Sequence, residues 1–213
     1  MAALNTDLRE SSFGQDHALT LVDRFGTYLS TRRIRSVAGP FAGRRVADIG
    51  CGYHAAFSRT LIDDVASLLL TDVSLSPELK THPKVLALEG SLPEVLGELP
   101  DESRDVVMCN SVLEHLWDPQ RTLAEFWRLT APGGVVFVNV PSWRGKWFLE
   151  LSAYRFHQSA EGEIDDHKTY YDPRDLWPLL VRAGFSPRHI RCAKHKWGLN
   201  TYAACHKPAA GRG

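Results

Sequence analysis

The chain has 213 residues and a mass of 23.8 kDa, which suits one compact domain with a sizeable core. It carries 25 Lys and Arg against 25 Asp and Glu, and this zero net charge argues against a protein whose main partner is a nucleic-acid backbone. No apolar run approaches the roughly 20 residues that cross a bilayer, and the N-terminal segment lacks a secretory pattern. Four scattered cysteines predict neither a disulfide framework nor a zinc site. We therefore expect a cytoplasmic protein with reduced cysteines.

Short apolar segments alternate with helical patterns along the chain, which is typical of an α/β fold with a mostly parallel sheet. The apolar segments predict strands at residues 46–49, 68–71, 85–88, 105–109, 135–140, 189–193 and 201–206. The helical patterns predict helices at residues 55–63, 119–130 and 173–183. The segment Pro132-Gly-Gly134 is expected to separate the second helix from the fifth strand.

Three further segments are predicted to lie outside the regular pattern of strands and helices. Residues 1–44 are predicted to form a helical N-terminal cap with one buried face, carrying Leu19, Val22, Phe25 and Leu29. Residues 142–171 follow the carboxyl end of the fifth strand and are rich in Trp, Tyr, His and charge. Open α/β sheets bind ligands at that edge, so we interpret 142–171 as a substrate-covering insertion in a main domain of residues 45–207. Residues 208–213 are expected to form a tail.

A pair of glycines directly follows the first predicted strand, in the segment Asp48-Ile-Gly50-Cys-Gly52. Glycines there permit a tight turn and let a ligand approach the backbone closely, although a purely structural turn would use them too. Asp72 ends the next strand, where a carboxylate can accept hydrogen bonds from both ribose hydroxyls of an adenosine ligand. A nicotinamide dinucleotide and S-adenosylmethionine share this logic, so the pattern alone leaves both open.

Two features favour S-adenosylmethionine. Asp48 would set a negative charge beside a pyrophosphate, whereas it suits the cationic amino group of a methionine moiety. The segment Asn110-Ser-Val-Leu-Glu-His-Leu116 and the later Pro132-Gly-Gly134 also have no place in a dehydrogenase pattern. A dehydrogenase is therefore the weakest interpretation.

The ordered set of motifs resembles the class I S-adenosylmethionine-dependent methyltransferases of the small-molecule type. The matching blocks span roughly residues 45–206 and are Val46–Gly52, Thr71–Asp72, Asp105–Leu116, Leu129–Gly134 and Ala183–Phe185. The resemblance implies a three-layer, Rossmann-like α/β fold whose seven-stranded sheet has the order 3-2-1-4-5-7-6 with an antiparallel last strand. It also implies S-adenosyl-L-methionine as cofactor and S-adenosyl-L-homocysteine as product.

The same resemblance implies a set of cofactor-binding residues, namely Asp48, Gly50, Cys51, Gly52, Asp72, Val73, Ser91, Leu92 and Asn110. Asp72 matches the acidic residue on the ribose, and Asn110 ends the strand that passes close to the sulfonium. Ser91 stands where the family often has an acidic residue facing the adenine. A contact of its side chain would be weaker, so the backbone of Leu92 becomes the more important predicted contact. His54 replaces the third glycine of the family and could crowd the carboxylate end of the cofactor.

Histidines near the expected mouth of the site are candidates for a base, because an oxygen nucleophile has a proton to lose and His accepts protons near neutral pH. His115, which adjoins Glu114, and His167 are the main candidates, and His157 ranks below them. Tyr170 would line the pocket or donate a hydrogen bond. In the structural alternative, Glu114 and His115 only cap a helix, and the tyrosine packs beneath the next one.

A metal site is not expected. Some relatives, among them ubiquinone-pathway O-methyltransferases and small-RNA 3′-end methyltransferases, bind a divalent metal through a Glu-x-x-Glu-His pattern. Here Ser111 replaces the first Glu ahead of Glu114 and His115. His157 or His167 remains available in principle to complete a different site.

The function that we expect is methyl transfer to an oxygen, less readily a nitrogen, of a small molecule or a glycan or lipid precursor. The alternatives from other classes are a non-catalytic partner subunit that keeps the fold and a small-RNA methyltransferase. The aromatic residues of the insertion suit a lid, a contact in a homodimer or an ordinary core. Arg144 and Lys146 could attract an anionic group of the acceptor, but we interpret them, like Lys194, His195 and Lys196, as solvated surface.

Overall fold

The computed structural model describes residues 12–15, 21–147 and 167–209. Its strands are β1 (Arg45–Ile49), β2 (Ser67–Asp72), β3 (Val85–Glu89), β4 (Arg104–Asn110), β5 (Thr130–Pro141), β6 (Ile190–His195) and β7 (Asn200–His206). They form one sheet in the order β3-β2-β1-β4-β5-β7-β6. β7 runs antiparallel to β5 and β6, and the other neighbouring strands are parallel. The predicted α/β class, strand order and antiparallel last strand are confirmed.

The sheet is accompanied by the helices α1 (Leu21–Ala38), α2 (Pro77–Lys80), α3 (Pro119–Leu129) and α4 (Pro173–Arg182), and by a short helix at residues 143–147. α3 begins where the sequence predicts because Pro119 suits the first helical position and the Asp118 side chain accepts a hydrogen bond from Arg121 N. At the start of α4, the carboxylates of Asp172 and Asp175 form a capping box. None of these helices combines the length and apolar character that a membrane crossing requires.

The sheet separates two hydrophobic clusters, one on each face. Side chains alternate along a strand, so Ala47 and Ile49 of β1 enter one cluster while Val46 enters the other. The first cluster packs α3 and α4 against the sheet, and Phe126 lies at its centre. The second packs α1 against the opposite face, which carries Phe137. The central strands are buried on both sides, and this fits their continuous apolar sequences.

The region after β1 differs from the prediction. The sequence predicts a helix over residues 55–63, but the structure has only a 3₁₀ turn at Ser58–Leu61. Gly50 and Gly52 adopt positive φ angles of 72° and 76°, and Ala55 follows at 44°. These left-handed residues extend the loop into the segment that a helix would need, so the chain reaches β2 with a single tight turn instead.

The buried face of the N-terminal helix was also predicted wrongly. Phe25 is 53% exposed and Leu29 is half-buried. Of the α1 side chains that the structure describes, from residue 24 to 38, the buried ones are Ser30, Ile34 and Ala38. The C-terminal half of α1 lies on the sheet, whereas its earlier part reaches beyond the strands toward the turn between β6 and β7. There Phe25 stacks on Trp197, with ring centroids 6.3 Å apart. Leu19 and the side chain of Val22 lie outside the described residues.

Two predicted boundaries changed near the site. β5 already begins at Thr130, so the Pro132-Gly-Gly134 segment lies within the strand, at a register shift against β4. Of the predicted insertion, residues 142–147 and 167–171 are described; 143–147 form a short helix, and His157 lies outside the described residues. The division into an N-terminal cap, a main domain and a tail stays a prediction.

Candidate functional site

The carboxyl ends of β1, β2 and β4 meet at one edge of the sheet, where the predicted cofactor residues come together. The loop after β1 is tied to the end of β2, because Gly50 N and Cys51 N both donate to Thr71 O, at 2.8 and 3.1 Å. Gly52 N donates to Asp72 Oδ2 at 2.7 Å. The glycine loop and the acidic residue that ends the next strand therefore form one hydrogen-bonded unit.

Two separate constraints, the backbone conformation and the lack of space for a side chain, require glycine at positions 50 and 52. Both have positive φ, and a Cβ on Gly50 would lie 2.1 Å from Val112 Cγ2. A Cβ on Gly52 would lie 3.1 Å from Phe13 O. A side chain at either position would thus be strained and crowded.

Asp48 is a buried carboxylate at the centre of this edge. Its side chain accepts a hydrogen bond from Ser58 Oγ at 2.5 Å. Burial raises the pKa of Asp48 to about 6, the charge of Asp72 adds to the rise, and the hydrogen bond from Ser58 opposes it. Two neighbouring carboxylates favour a positively charged ligand, since such a ligand would stabilise the ionised form of Asp48.

Cys51 has no nucleophilic role in this arrangement. Burial raises the pKa of its thiol well above the usual value, and the charges of Asp48 and Asp72 raise it further. The thiol is therefore neutral near pH 7 and acts as part of the wall of the loop.

Ser12 is a contact of this site that the sequence analysis missed. Its hydroxyl lies 2.5 Å from Asp72 Oδ1, and Val73 N donates to the same oxygen at 2.9 Å. Ser12 precedes Asp72 by 60 positions and belongs to no recognisable motif. No local pattern in the sequence signals this contact.

The predicted adenine side of the site lies at the end of β3. Gly90 N donates to Asp72 O at 3.1 Å, which brings the following Ser91 and Leu92 beside the end of β2. Glu89 is the nearest carboxylate in sequence, but it pairs with Lys80 and accepts a hydrogen bond from Leu75 N. Ser91 and Leu92 therefore stay the predicted adenine contacts.

Asn110 is held at the end of β4 by its neighbour on β5. Its Oδ1 accepts a hydrogen bond from Asn139 Nδ2 at 2.9 Å, and Asn139 is fully buried. Ser111 follows with a positive φ of 58°, and its N–H donates to Asn139 O at 2.7 Å. This sharp turn directs the chain from the sheet edge into the segment that carries Glu114 and His115.

The three predicted catalytic residues lie together beyond β4. Lys168 N donates to Glu114 O at 2.7 Å, so the segment beginning at His167 is fixed beside the 3₁₀ turn Leu113–His115. The His115 and His167 rings are 4.7 Å apart. His167 Nδ1 and Tyr170 Oη are 3.1 Å apart and share a hydrogen bond. His115 and Glu114 do not begin a helix, since α3 starts at Pro119 with its own cap.

Comparison with known proteins identifies the family of this chain. Residues 18–190 match a family described as a methyltransferase domain. The chain belongs to this methyltransferase family. It is 36% identical over 170 residues to a protein of Mycolicibacterium smegmatis named as an S-adenosylmethionine-dependent methyltransferase, and the alignment covers 78% of this chain but 61% of that relative.

A more distant relative agrees with the family, and a solved structure agrees with the fold. A ubiquinone biosynthesis O-methyltransferase of Photobacterium profundum is 26% identical over 205 residues, covering 88% of this chain and 86% of that protein. A methyltransferase structure from Thermotoga maritima superposes with a TM-score of 0.63 at 18% identity, covering 86% and 90% of the two chains. The cofactor of this methyltransferase is S-adenosylmethionine.

The predicted catalytic residues lie beside Glu114 in a group of side-chain types that can ligate a divalent metal. Donor atoms of Glu114, His115 and His167 all lie within 4.8 Å of one another, and no other such group occurs in the described residues. The set has one carboxylate and two imidazoles, which suits a transition metal better than a magnesium ion. Ser111, which the sequence analysis weighed as a ligand position, is not part of this group.

The turn between β6 and β7 corrects another expectation. His195 and Lys196 are half-buried, and Lys196 and Trp197 both adopt positive φ, of 50° and 55°. Ser142 holds this turn against the end of β5, because its hydroxyl donates to Gly198 O at 2.6 Å. Burial lowers the pKa of Lys196 to about 8, against the opposing effect of Glu114. Among Lys194, His195 and Lys196, which the sequence analysis interpreted as solvated surface, Lys194 alone is exposed.

Proposed function

We propose that this methyltransferase transfers the methyl group of S-adenosylmethionine to a hydroxyl oxygen of a small acceptor. The observation that carries the proposal is the cluster of His115, His167 and Tyr170 beyond the end of β4. A hydroxyl group must lose its proton as it attacks the methyl group, so an imidazole base beside it would assist the reaction. A neutral amine needs this assistance less, because it can attack the methyl group first and lose its proton afterwards.

The cofactor is proposed to lie along the edge formed by β1, β2 and β4. Asp48 would face its amino group, Asp72 its ribose, and Asn110 the region of the sulfonium. The sulfonium supplies an electrophilic methyl group, so the main task of the protein is to align the acceptor oxygen with it. A cationic ligand, which the buried Asp48 and the half-buried Asp72 favour, fits this arrangement.

His167 is the proposed proton acceptor. In the tautomer whose Nδ1–H donates to Tyr170 Oη, Nε2 is the basic nitrogen of His167 and is the proposed proton acceptor. The acceptor oxygen then forms a bond to the methyl carbon, its proton passes to His167 Nε2, and the electron pair of the broken carbon–sulfur bond stays on sulfur. His115 packs edge-on against His167 and would fix its ring.

Aromatic side chains at this edge favour an acceptor with an aromatic or apolar body. Trp143 lies over Tyr170 with ring centroids 5.7 Å apart, and Trp117 is 72% exposed beyond the Leu113–His115 turn. Indole rings of this kind bind flat apolar groups and leave one polar atom for a hydrogen bond. The distant ubiquinone biosynthesis O-methyltransferases support the choice of oxygen.

The test is product formation with matched acceptors. The purified protein is incubated with S-adenosylmethionine and pairs of small aromatic acceptors that differ only in a hydroxyl or an amino group, and the methylated products are identified by mass spectrometry. We expect O-methyl products with the wild-type chain and none with Asp72→Asn, which removes the proposed ribose contact. Methylation of the amines alone would overturn the choice of oxygen.

A divalent cation at Glu114, His115 and His167 is the competing way to activate the acceptor oxygen. If His167 accepts the proton without a metal ion, treatment with EDTA followed by gel filtration should leave the methylation rate unchanged. A loss of activity that zinc or manganese restores would show instead that a metal ion activates the acceptor oxygen.

A further inference from the structure

The carboxylate of Asp72 is engaged by this chain's own groups. Oδ2 accepts from Gly52 N at 2.7 Å, and Oδ1 accepts from Val73 N at 2.9 Å. The hydroxyl of Ser12 lies 2.5 Å from Oδ1 and is the third donor. The backbone donors belong to the loops that shape the site, whereas Ser12 arrives from a separate part of the chain.

The segment Ser12–Gln15, which we call the N-terminal strap, is fixed at this edge by several hydrogen bonds. Ser74 N donates to Ser12 Oγ at 2.8 Å, and Ser74 O, 2.6 Å away, competes with Asp72 for the Ser12 hydroxyl proton. Tyr53 N donates to Phe13 O at 3.0 Å. Ser12 itself is only 4% exposed. The strap therefore covers Asp72.

The number of hydrogen-bond positions on the Asp72 carboxylate decides whether the strap and a ribose can bind it at the same time. Each carboxylate oxygen offers about two lone pairs. Val73 N and the Ser12 hydroxyl use both positions on Oδ1, and Gly52 N leaves one position on Oδ2. A ribose that binds through both of its hydroxyls needs one position on each oxygen. Oδ1 provides that position only when the Ser12 hydroxyl leaves.

We propose that Ser12 is an internal competitor of the cofactor: its hydroxyl takes the place of one ribose hydroxyl on Asp72, and the N-terminal strap leaves Asp72 when the cofactor binds. This inference rests on the proposed position of the ribose at Asp72. The exchange replaces one charge-assisted hydrogen bond by another, so it lowers the affinity for both cofactor and product and assists release of S-adenosylhomocysteine after each turnover.

The test is calorimetric titration with S-adenosylhomocysteine and with its 2′,3′-dideoxy analogue. We expect Ser12→Ala to bind S-adenosylhomocysteine about three- to tenfold more tightly than the wild-type chain, because the competing hydrogen bond is gone. The dideoxy analogue, which has no hydroxyl to compete, should gain nothing. Ser36→Ala is the matched control, since Ser36 is a serine of α1 whose hydroxyl donates only to Arg33 O.

Three other results are informative. Weaker binding or unchanged binding by Ser12→Ala would overturn the competition. An equal gain for both ligands would show that the substitution only loosens the strap, and this also overturns the proposal. Asp72→Asn tests the position of the ribose separately: if this variant binds S-adenosylhomocysteine as tightly as wild type, the cofactor site is misplaced, whatever Ser12→Ala does.

Discussion

Asp48 shows how burial sets the chemistry of a single residue at the sheet edge. Its carboxylate is buried beside Asp72, and its pKa rises to about 6 from an ordinary value of 3.8. A raised pKa in the folded state means that ionisation of Asp48 costs stability. This cost in stability is absent below about pH 4, grows between about pH 4 and pH 6, and stays constant at higher pH. The same ionised carboxylate is what attracts a cationic ligand.

Asp48→Asn should therefore separate stability from binding. Near pH 7.5 the variant should unfold with a free energy equal to or greater than that of wild type, because the buried charge is gone, and the difference should shrink toward pH 4. Its affinity for S-adenosylmethionine should fall at least about tenfold. Urea unfolding at both pH values and calorimetry measure these effects, with the exposed Asp63→Asn as control. A variant that is less stable at pH 7.5 would contradict the account.

Tyr170 and His167 form the second residue-scale unit. Tyr170→Phe keeps the packing but removes the hydroxyl that shares a hydrogen bond with His167 Nδ1 and holds the ring in place. We expect kcat to fall about 10- to 100-fold with little change in KM for S-adenosylmethionine, and His167→Gln to lower kcat further. Steady-state kinetics with the acceptor found above measure both. An unchanged kcat in both variants would remove His167 as the base.

At the scale of elements, the ends of the strands place the site and the loops shape it. β1 and β2 bring Asp48 and Asp72 to one edge, and β4 brings Asn110 there. The loop after β1 is then fixed by hydrogen bonds from its own backbone N–H groups to Thr71 O and to the Asp72 carboxylate. Its shape therefore depends on the left-handed conformation of its glycines.

Gly50 and Gly43 provide a matched test of that loop. Their φ angles are 72° and 69°, but a Cβ on Gly50 meets Val112 at 2.1 Å, whereas a Cβ on Gly43 meets nothing within 4 Å. Gly43→Ala should cost about 1 to 2 kcal/mol of unfolding free energy from backbone strain alone. Gly50→Ala should cost more and should also abolish cofactor binding. Urea unfolding and calorimetry compare the two, and equal costs would contradict the role of Val112.

At the scale of the whole molecule, one sheet joins both hydrophobic clusters. Phe126 of α3 lies in one cluster and Phe137 of β5 in the other, and both are fully buried. Because β1, β4 and β5 contribute to both clusters, the two faces should unfold together.

Phe126→Ala and Phe137→Ala should each lower the free energy of unfolding by about 3 to 5 kcal/mol, and each should shift one common transition. Leu86→Ala, on the exposed part of β3, is the control and should cost much less. Urea unfolding followed by both fluorescence and circular dichroism measures this. A second transition in either variant would show that the two faces unfold independently.

The order of motifs along the chain was sufficient to predict the sheet and the edge that binds ligands. Apolar strand sequences are local, and the residue that ends a parallel strand lies at a known edge, so Asp48, Asp72 and Asn110 could be placed from the sequence. The helix expected after β1 could not, because left-handed Gly50 and Gly52 extend that loop. The buried face of α1 also failed, since part of the helix projects beyond the sheet.

The ordered motifs of the sequence predicted the family and, through the resemblance to that family, the strand order, and both are confirmed. The position of the cofactor at the ends of β1, β2 and β4 stays a prediction. Tertiary structure decided which distant groups meet there. The Ser12 hydroxyl reaches Asp72, and His167 reaches His115, through backbone hydrogen bonds between separate loops. Such contacts depend on how the chain packs around the sheet, and packing has no local signature in the sequence.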